Sequence, residues 1–277
     1  MRMWIPYHAD IVGYENIHIV DHMSTDDSEQ VYAQYRDRGL TVTRTAASFR
    51  QKHAILTGIM RDAQEHADIL LCLDADEFLC GVGDIRPSCE TVPYMLTNSR
   101  VIQEILYTLP LDGRKYAMNE FTAAIDCIDY SDPLVDMKRF RYRKSNVDAK
   151  GVVRGGKAFY PARTFVSVDQ GSHHGKVHGK PNTEYHFTSL ATVHFHLCGF
   201  THLKNKVKNA ILAYNLPKPE GYCGEGNHWN KWALLIDGKT DDEARVLFEK
   251  HFVHKTPGYH FGAFSTRVRA LRSQNEI

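Results

Sequence analysis

An open α/β sheet is the fold class that this sequence predicts, and three observations carry the prediction. Apolar stretches of strand length alternate with stretches of helical periodicity through the first part of the chain. The first and third of those strands each run into an acidic or polar loop, the usual place of ligands in such sheets. The run Ile69-Leu70-Leu71-Cys72-Leu73 is apolar throughout, as befits a strand covered on both faces of a mostly parallel sheet.

In chain order, Ile17-His18-Ile19-Val20 reads as a short strand leading into Asp21-His22-Met23-Ser24-Thr25-Asp26-Asp27-Ser28. Asp26 and Glu29 have the spacing of a capping box. Val31, Tyr32 and Tyr35 follow at helical spacing, and Gly39 closes that helix. Leu40 to Thr45 is the next strand. A second helix begins near Gln51, with Ile55, Leu56, Ile59, Met60 and Ala63 in one stripe, and feeds the strand ending at Asp74. Val101 to Leu109 also reads as a strand, and Lys157 to Val168 as a strand pair with Pro161 at an edge or turn. Gly171 to Pro181 has the glycine content of a mobile loop. After the strand Thr192-Val193-His194-Phe195-His196 comes a clear helix, Phe200 to Tyr214, stopped by Pro217 and Pro219. A last helix starts at the capping box Thr240-x-x-Glu243.

Composition narrows the function. Thirty-four basic and 33 acidic side chains nearly cancel, which argues against an electrostatically driven nucleic-acid partner. No apolar run approaches the length of a membrane span, and the N-terminal residues lack the apolar core of a signal peptide. The six cysteines contain no C-x-x-C pair, so a reducing compartment is expected, with no disulfide framework. These features point to a soluble cytoplasmic protein, with peripheral attachment to a membrane left open.

Asp74-Ala75-Asp76-Glu77 holds the clearest chemistry. A strictly extended chain would aim Asp74 and Asp76 at opposite faces. A turn just after the strand brings both to one point, where carboxylate oxygens suit a hard divalent cation carrying a phosphate. A solvated acidic turn is the competing reading.

Three motifs in fixed order extend the picture: Trp4-Ile5-Pro6-Tyr7-His8, then Asp21-x-x-Ser24-Thr25-Asp26, then Asp74-Ala75-Asp76-Glu77-Phe78. With Gly156-Lys157, His173, and His194-Phe195-His196 ahead of a lysine-bearing helix, the chain resembles the family-2-type glycosyltransferases of the GT-A fold over most of residues 4 to 210. The resemblance implies an open, mostly parallel sheet flanked by helices over residues 1–215, and a helical C-terminal extension, 216–277, packed on it. It also implies one more strand ahead of Trp4 than the sequence contains. Its activity would be metal-dependent transfer of a sugar from a nucleoside-diphosphate sugar to a glycan, glycolipid or other hydroxyl acceptor, with inversion.

The resemblance gives Asp74, Asp76 and Glu77 catalytic places. It sets Asp21, Ser24, Asp74, Lys157, His173 and Lys204 around the nucleotide sugar, with Lys206 an alternative to Lys204. Mn²⁺ (or Mg²⁺) would be held by Asp76 with His194, the neighbouring His196 being the other candidate; neutral imidazole suits Mn²⁺ better. A carboxylate base is open among Glu77, Asp112, Glu120 and Asp126. Two other functions remain. A nucleotidyltransferase on a similar fold would need a glycine-rich basic loop after its first strand, and none is present. A nucleotide-sugar-binding module would keep the sheet without turnover.

Overall fold

The computed structural model describes residues 1–85, 92–124, 139–195, 200–221, 224, 226–236 and 238–252. They form a mixed α/β protein whose described residues fall into two units. Those of Met1–Thr122 and Tyr142–His194 make the first, and those of Ala123–Arg141 and Phe195–Phe261 the second.

The chain opens with helix α1 (Trp4–Val12), then β1 (His18–Asp21), α2 (Ser28–Arg36), β2 (Thr41–Arg44) and α3 (Lys52–Asp62). β1 and β2 pair in parallel as a sheet of their own. The expected capping box at Asp26 does not form. The Asp26 carboxylate takes the Ser28 N–H, while Glu29 turns to Arg36 at 2.6 Å. Helix α2 therefore starts one residue later, with Asp27 at its N-cap.

The strand expected over the apolar run after α3 is cut short, and a second strand begins only beyond the acidic residues. β3 (Ile69–Leu70) is short, Leu71–Leu73 is irregular, and β4 (Glu77–Ile85) begins on the far side of a turn. β5 (Val92–Leu96) returns beside β4, and α4 (Ser99–Tyr107) follows. The sequence suggests a strand over Val101 to Leu109, but the segment is helical. Asn98 caps it by accepting the Arg100 N–H, and Ile102 is fully buried in it. β-branched residues on one face of a helix mimic strand composition over so short a span.

Next come β6 (Lys115–Ala124), β7 (Arg139–Arg143), β8 (Asn146–Val147), β9 (Val153–Arg154), β10 (Ala158–Pro161), β11 (Phe165–Val168), β12 (Gly175–Val177) and β13 (Tyr185–His194). The main sheet runs β3-β10-β6-β13-β4-β5. Only β6 and β13 are parallel along this path; the other four pairings are antiparallel. The expectation of a mostly parallel sheet is therefore corrected to a mixed one. A continuous apolar run reports burial on both faces, and helices can cover an antiparallel strand as completely as a parallel one.

Two local devices set the site's position. Phe187 faces Ala117 but Ala191 faces Asn119, so β13 carries two more residues than β6 between these pairs. Asn119 closes the gap by donating to the carbonyls of Thr188 and Leu190 and accepting the Ser145 N–H. At Gly156 the backbone passes so close to β6 that a Cβ would sit 1.8 Å from the Met118 carbonyl oxygen. Only glycine fits there. The segment Gly171 to Pro181 is tied down rather than loose. Two of its histidines donate through Nδ1, His173 to the Gly156 carbonyl at 2.7 Å and His174 to Gly151 at 2.9 Å.

In the second unit, α5 (Phe200–Tyr214), α6 (Asn227–Ile236) and α7 (Asp241–Phe252) surround Phe200, Leu203, Val207, Ala210, Ala233, Ala244 and Phe248. Thr240 and Glu243 form the expected capping box, each taking the other's backbone N–H. No helix among the described residues is long and apolar enough to cross a membrane.

Candidate functional site

The acidic turn is closed by the Glu77 N–H on the Asp74 carbonyl at 3.0 Å, and by the Asp74 N–H on Glu77 Oε2 at 2.8 Å. Asp74 and Asp76 thus flank one turn, as their spacing predicts. Strand register brings the rest. His194, at the end of β13, stands directly opposite Glu77 on β4. Thr192, two residues before it, pairs with Glu120 on β6. Glu77, His194 and Glu120 therefore share one sheet face.

Lys157 joins them, delivered by the close passage at Gly156. Its side chain is 3% exposed, and its ammonium donates to Asp74 Oδ2 at 2.8 Å and Glu77 Oε2 at 2.7 Å. Burial opposes its charge, yet the two carboxylates outweigh that and hold its pKa well above the usual lysine value. Lys52, at the start of α3, reaches Asp74 Oδ1 at 2.9 Å. Burial would raise the Asp74 carboxyl, but Lys157 and Lys52 together pull it far below the usual range. Glu77 is pushed upward by burial while Lys157 pulls the other way.

His194 Nδ1 lies 2.8 Å from Glu120 Oε1, and a carboxylate can only accept, so Nδ1 carries a proton. Nε2 then points at Asp76 Oδ1, 3.7 Å away. Burial would lower the imidazole pKa, but hydrogen bonding to Asp76 and Glu120 and the charge of Glu77 raise it to about 10. Burial opposes ionisation of Glu120 too, yet His194 and then Arg143 keep its pKa low. Arg143 reaches it at 3.3 Å. Asp74, Asp76, Glu77 and Glu120 are thus matched by Lys52, Lys157, His194 and Arg143, a cluster of balanced charge.

Compared with known proteins, the chain matches no protein-family model, and no curated protein matches it.

Not every expected site residue joins this cluster. Asp21 and Ser24 form a clamp of their own: the buried Asp21 carboxylate takes the Ser24 N–H at 3.0 Å and lies 3.1 Å from Arg44, which also holds the Ser24 carbonyl. His173 orients the backbone beside Lys157 through Gly156. Lys204 belongs to the second unit, where its ammonium sits 2.7 Å from Asp241. Lys206 is on the same helix. His196 and Asp126 lie outside the described residues. Asp112 pairs with Arg114 and His186 at the surface.

Lys52 and Arg143 were not legible as members of the site. Lys52 sits at a helix start, where a basic residue reads as solvated surface. Arg143 stands in a basic stretch, with no spacing that ties it to an acid.

Asp76 and His194 are the residues that could hold a cation here. Among the described residues no three His, Cys, Asp or Glu side chains converge as a ready-made metal site. Asp76 and His194 Nε2 do face one point, with Glu120 behind the imidazole, the usual arrangement of a metal-ligating histidine and its carboxylate support. Two protein ligands suit Mn²⁺ or Mg²⁺, which take remaining ligands from water and phosphate.

Proposed function

We propose that this chain is a metal-dependent glycosyltransferase that takes a sugar from a nucleoside-diphosphate sugar to a hydroxyl acceptor. One observation carries the reading: His194 is oriented by Glu120 so that Nε2 faces Asp76 beside the acidic turn. Asp76 and His194 would hold Mn²⁺ or Mg²⁺. Such a cation neutralises the charge that builds on a leaving diphosphate.

The protein's own groups supply the rest. Glu120 fixes the imidazole tautomer and ring plane. Lys157 and Lys52 hold Asp74, and through the turn they set where Asp76 stands. Glu77, 2% exposed as a residue, acts as the internal anchor of that turn. Donor contacts by Asp21, Ser24 and His173 are part of the proposal. Lys204, paired with Asp241 within the second unit, is kept in the proposal as a further donor contact.

The test is a donor screen measuring nucleoside-diphosphate release with Mn²⁺ and with EDTA, on the wild type and Asp76→Asn. Release that needs Mn²⁺ and is lost in the variant is expected. Donor binding without release from any donor and acceptor pair would turn the reading to a nucleotide-sugar-binding module.

A further inference from the structure

The motif Trp4-Ile5-Pro6-Tyr7-His8 lies on α1, outside the charged cluster itself, and nothing so far gives it a task. Trp4, Tyr7 and His8 occupy positions i, i+3 and i+4 and so share one face of the helix. Tyr7 is fully buried and His8 4% exposed, so their polar ends need partners inside the protein.

All three partners belong to one strand edge. Trp4 Nε1–H donates to the Glu77 carbonyl at 2.7 Å. The Tyr7 hydroxyl donates to the Leu79 carbonyl at 2.7 Å, and the Leu79 N–H donates to His8 Nε2 at 3.2 Å. His8 Nδ1–H closes the set on the Trp4 carbonyl at 2.8 Å, which fixes the tautomer that leaves Nε2 free to accept. The Phe78 ring packs against both, 5.2 Å from Tyr7 and 5.7 Å from His8, centroid to centroid.

The strand needs this. β13 lines one side of β4 from Glu77 to Gly81, whereas β5 joins the other side only from Gly81 onward. Between Glu77 and Cys80 that second edge has no strand beside it among the described residues, yet Glu77 is 2% and Leu79 1% exposed. Buried peptide groups without partners are costly, and α1 supplies what a strand would have supplied.

We propose that Trp4, Tyr7 and His8 substitute for a neighbouring strand and act as positioning residues for the acidic turn. The hold passes through one residue. Trp4 grips the Glu77 carbonyl, while the Glu77 carboxylate grips the Asp74 N–H and Lys157 and stands opposite His194. This also explains why the sequence pairs an aromatic Trp-x-x-Tyr-His helix with Asp-Ala-Asp-Glu-Phe. The effect on a cation rests on the function proposed above; the effect on the strand does not.

The test uses the full chain with Trp4→Phe and Tyr7→Phe, which remove one donor each and keep a ring. Tyr185→Phe is the control, because it removes a buried hydroxyl that donates to the Gly151 carbonyl at 2.8 Å in the same unit. Three quantities are read: amide hydrogen exchange at Asp74, Glu77 and Leu79, the ring ¹⁵N resonances of His194, and affinity for Mn²⁺ alone. In Trp4→Phe and Tyr7→Phe exchange at these amides should rise about tenfold, the His194 signals should move, and Mn²⁺ should bind more weakly. Tyr185→Phe should lower the urea midpoint by a similar amount and leave all three at wild-type values. The positioning role is overturned if exchange and His194 signals match the control in both variants. Should Tyr7→Phe not fold, Trp4→Phe decides, together with His8→Gln against His8→Leu. Glutamine can still accept from Leu79 and should keep the exchange protection that leucine loses. If the wild type binds no Mn²⁺, the cation reading fails, while exchange and the His194 signals still decide this proposal.

Discussion

Asp74 and Asp76 stand one residue apart on the same turn, yet their surroundings differ in kind. Asp74 is gripped by two ammonium groups, Lys52 on one oxygen and Lys157 on the other. Asp76 meets an imidazole nitrogen at 3.7 Å, and that imidazole is itself held in place by Glu120. The first arrangement spends a carboxylate on holding the turn. The second presents a carboxylate and an oriented ring nitrogen to the same point. In a D-x-D pair, then, equal residues can differ in surroundings, one gripped by two ammonium groups and one set beside an oriented imidazole.

The largest expected effect breaks the holding side. Lys157→Met leaves Glu77 and Asp74 without their shared buried cation and should cost about 3–5 kcal/mol in urea unfolding. A loss below 1 kcal/mol would mean that the turn does not depend on this ion pair.

Breaking the other side should spare the fold and cost activity. Asp76→Asn is expected to lower metal-dependent nucleoside-diphosphate release about a hundredfold or more, with the urea midpoint close to wild type. Asp74→Asn should instead lower stability first. If the two substitutions behaved alike in both measurements, the distinction between the aspartates would collapse.

Glu120→Gln sharpens the comparison one step further out. Its amide oxygen can still accept from His194 Nδ1–H, but the charge is gone, so Mn²⁺ affinity by titration should fall about tenfold. An unchanged affinity would remove Glu120 from any support role.

The smallest effect belongs to Lys52→Met. Lys52 is 27% and Asp74 39% exposed in their side chains, so water screens the pair and the loss should stay under about 1 kcal/mol. A loss as large as that of Lys157→Met would make the two lysines equal partners.

The sequence by itself determined the α/β class, the turn that joins Asp74 to Asp76, the C-terminal capping box and the long helix from Phe200 to Tyr214. These depend on near neighbours: apolar periodicity, a carboxylate pair two apart, Thr240 with Glu243, and Leu203, Val207 and Ala210 on one stripe. Glycine at 156 and lysine at 157 were visible as a pair, but not the reason for them. Only the tertiary structure shows that a Cβ at 156 would meet the Met118 carbonyl, and that Lys157 is thereby buried between Asp74 and Glu77.

Sheet direction was also decided by tertiary structure, since a strand covered on both faces has the same apolar pattern whichever way its neighbours run. The same holds for the partners of Asp74, Asp76 and His194. Glu120 lies 74 residues from His194 and Lys157 lies 83 from Asp74, so only strand register and the close passage at Gly156 bring those charges together. A charged side chain's local sequence gives its charge but not its distant partner.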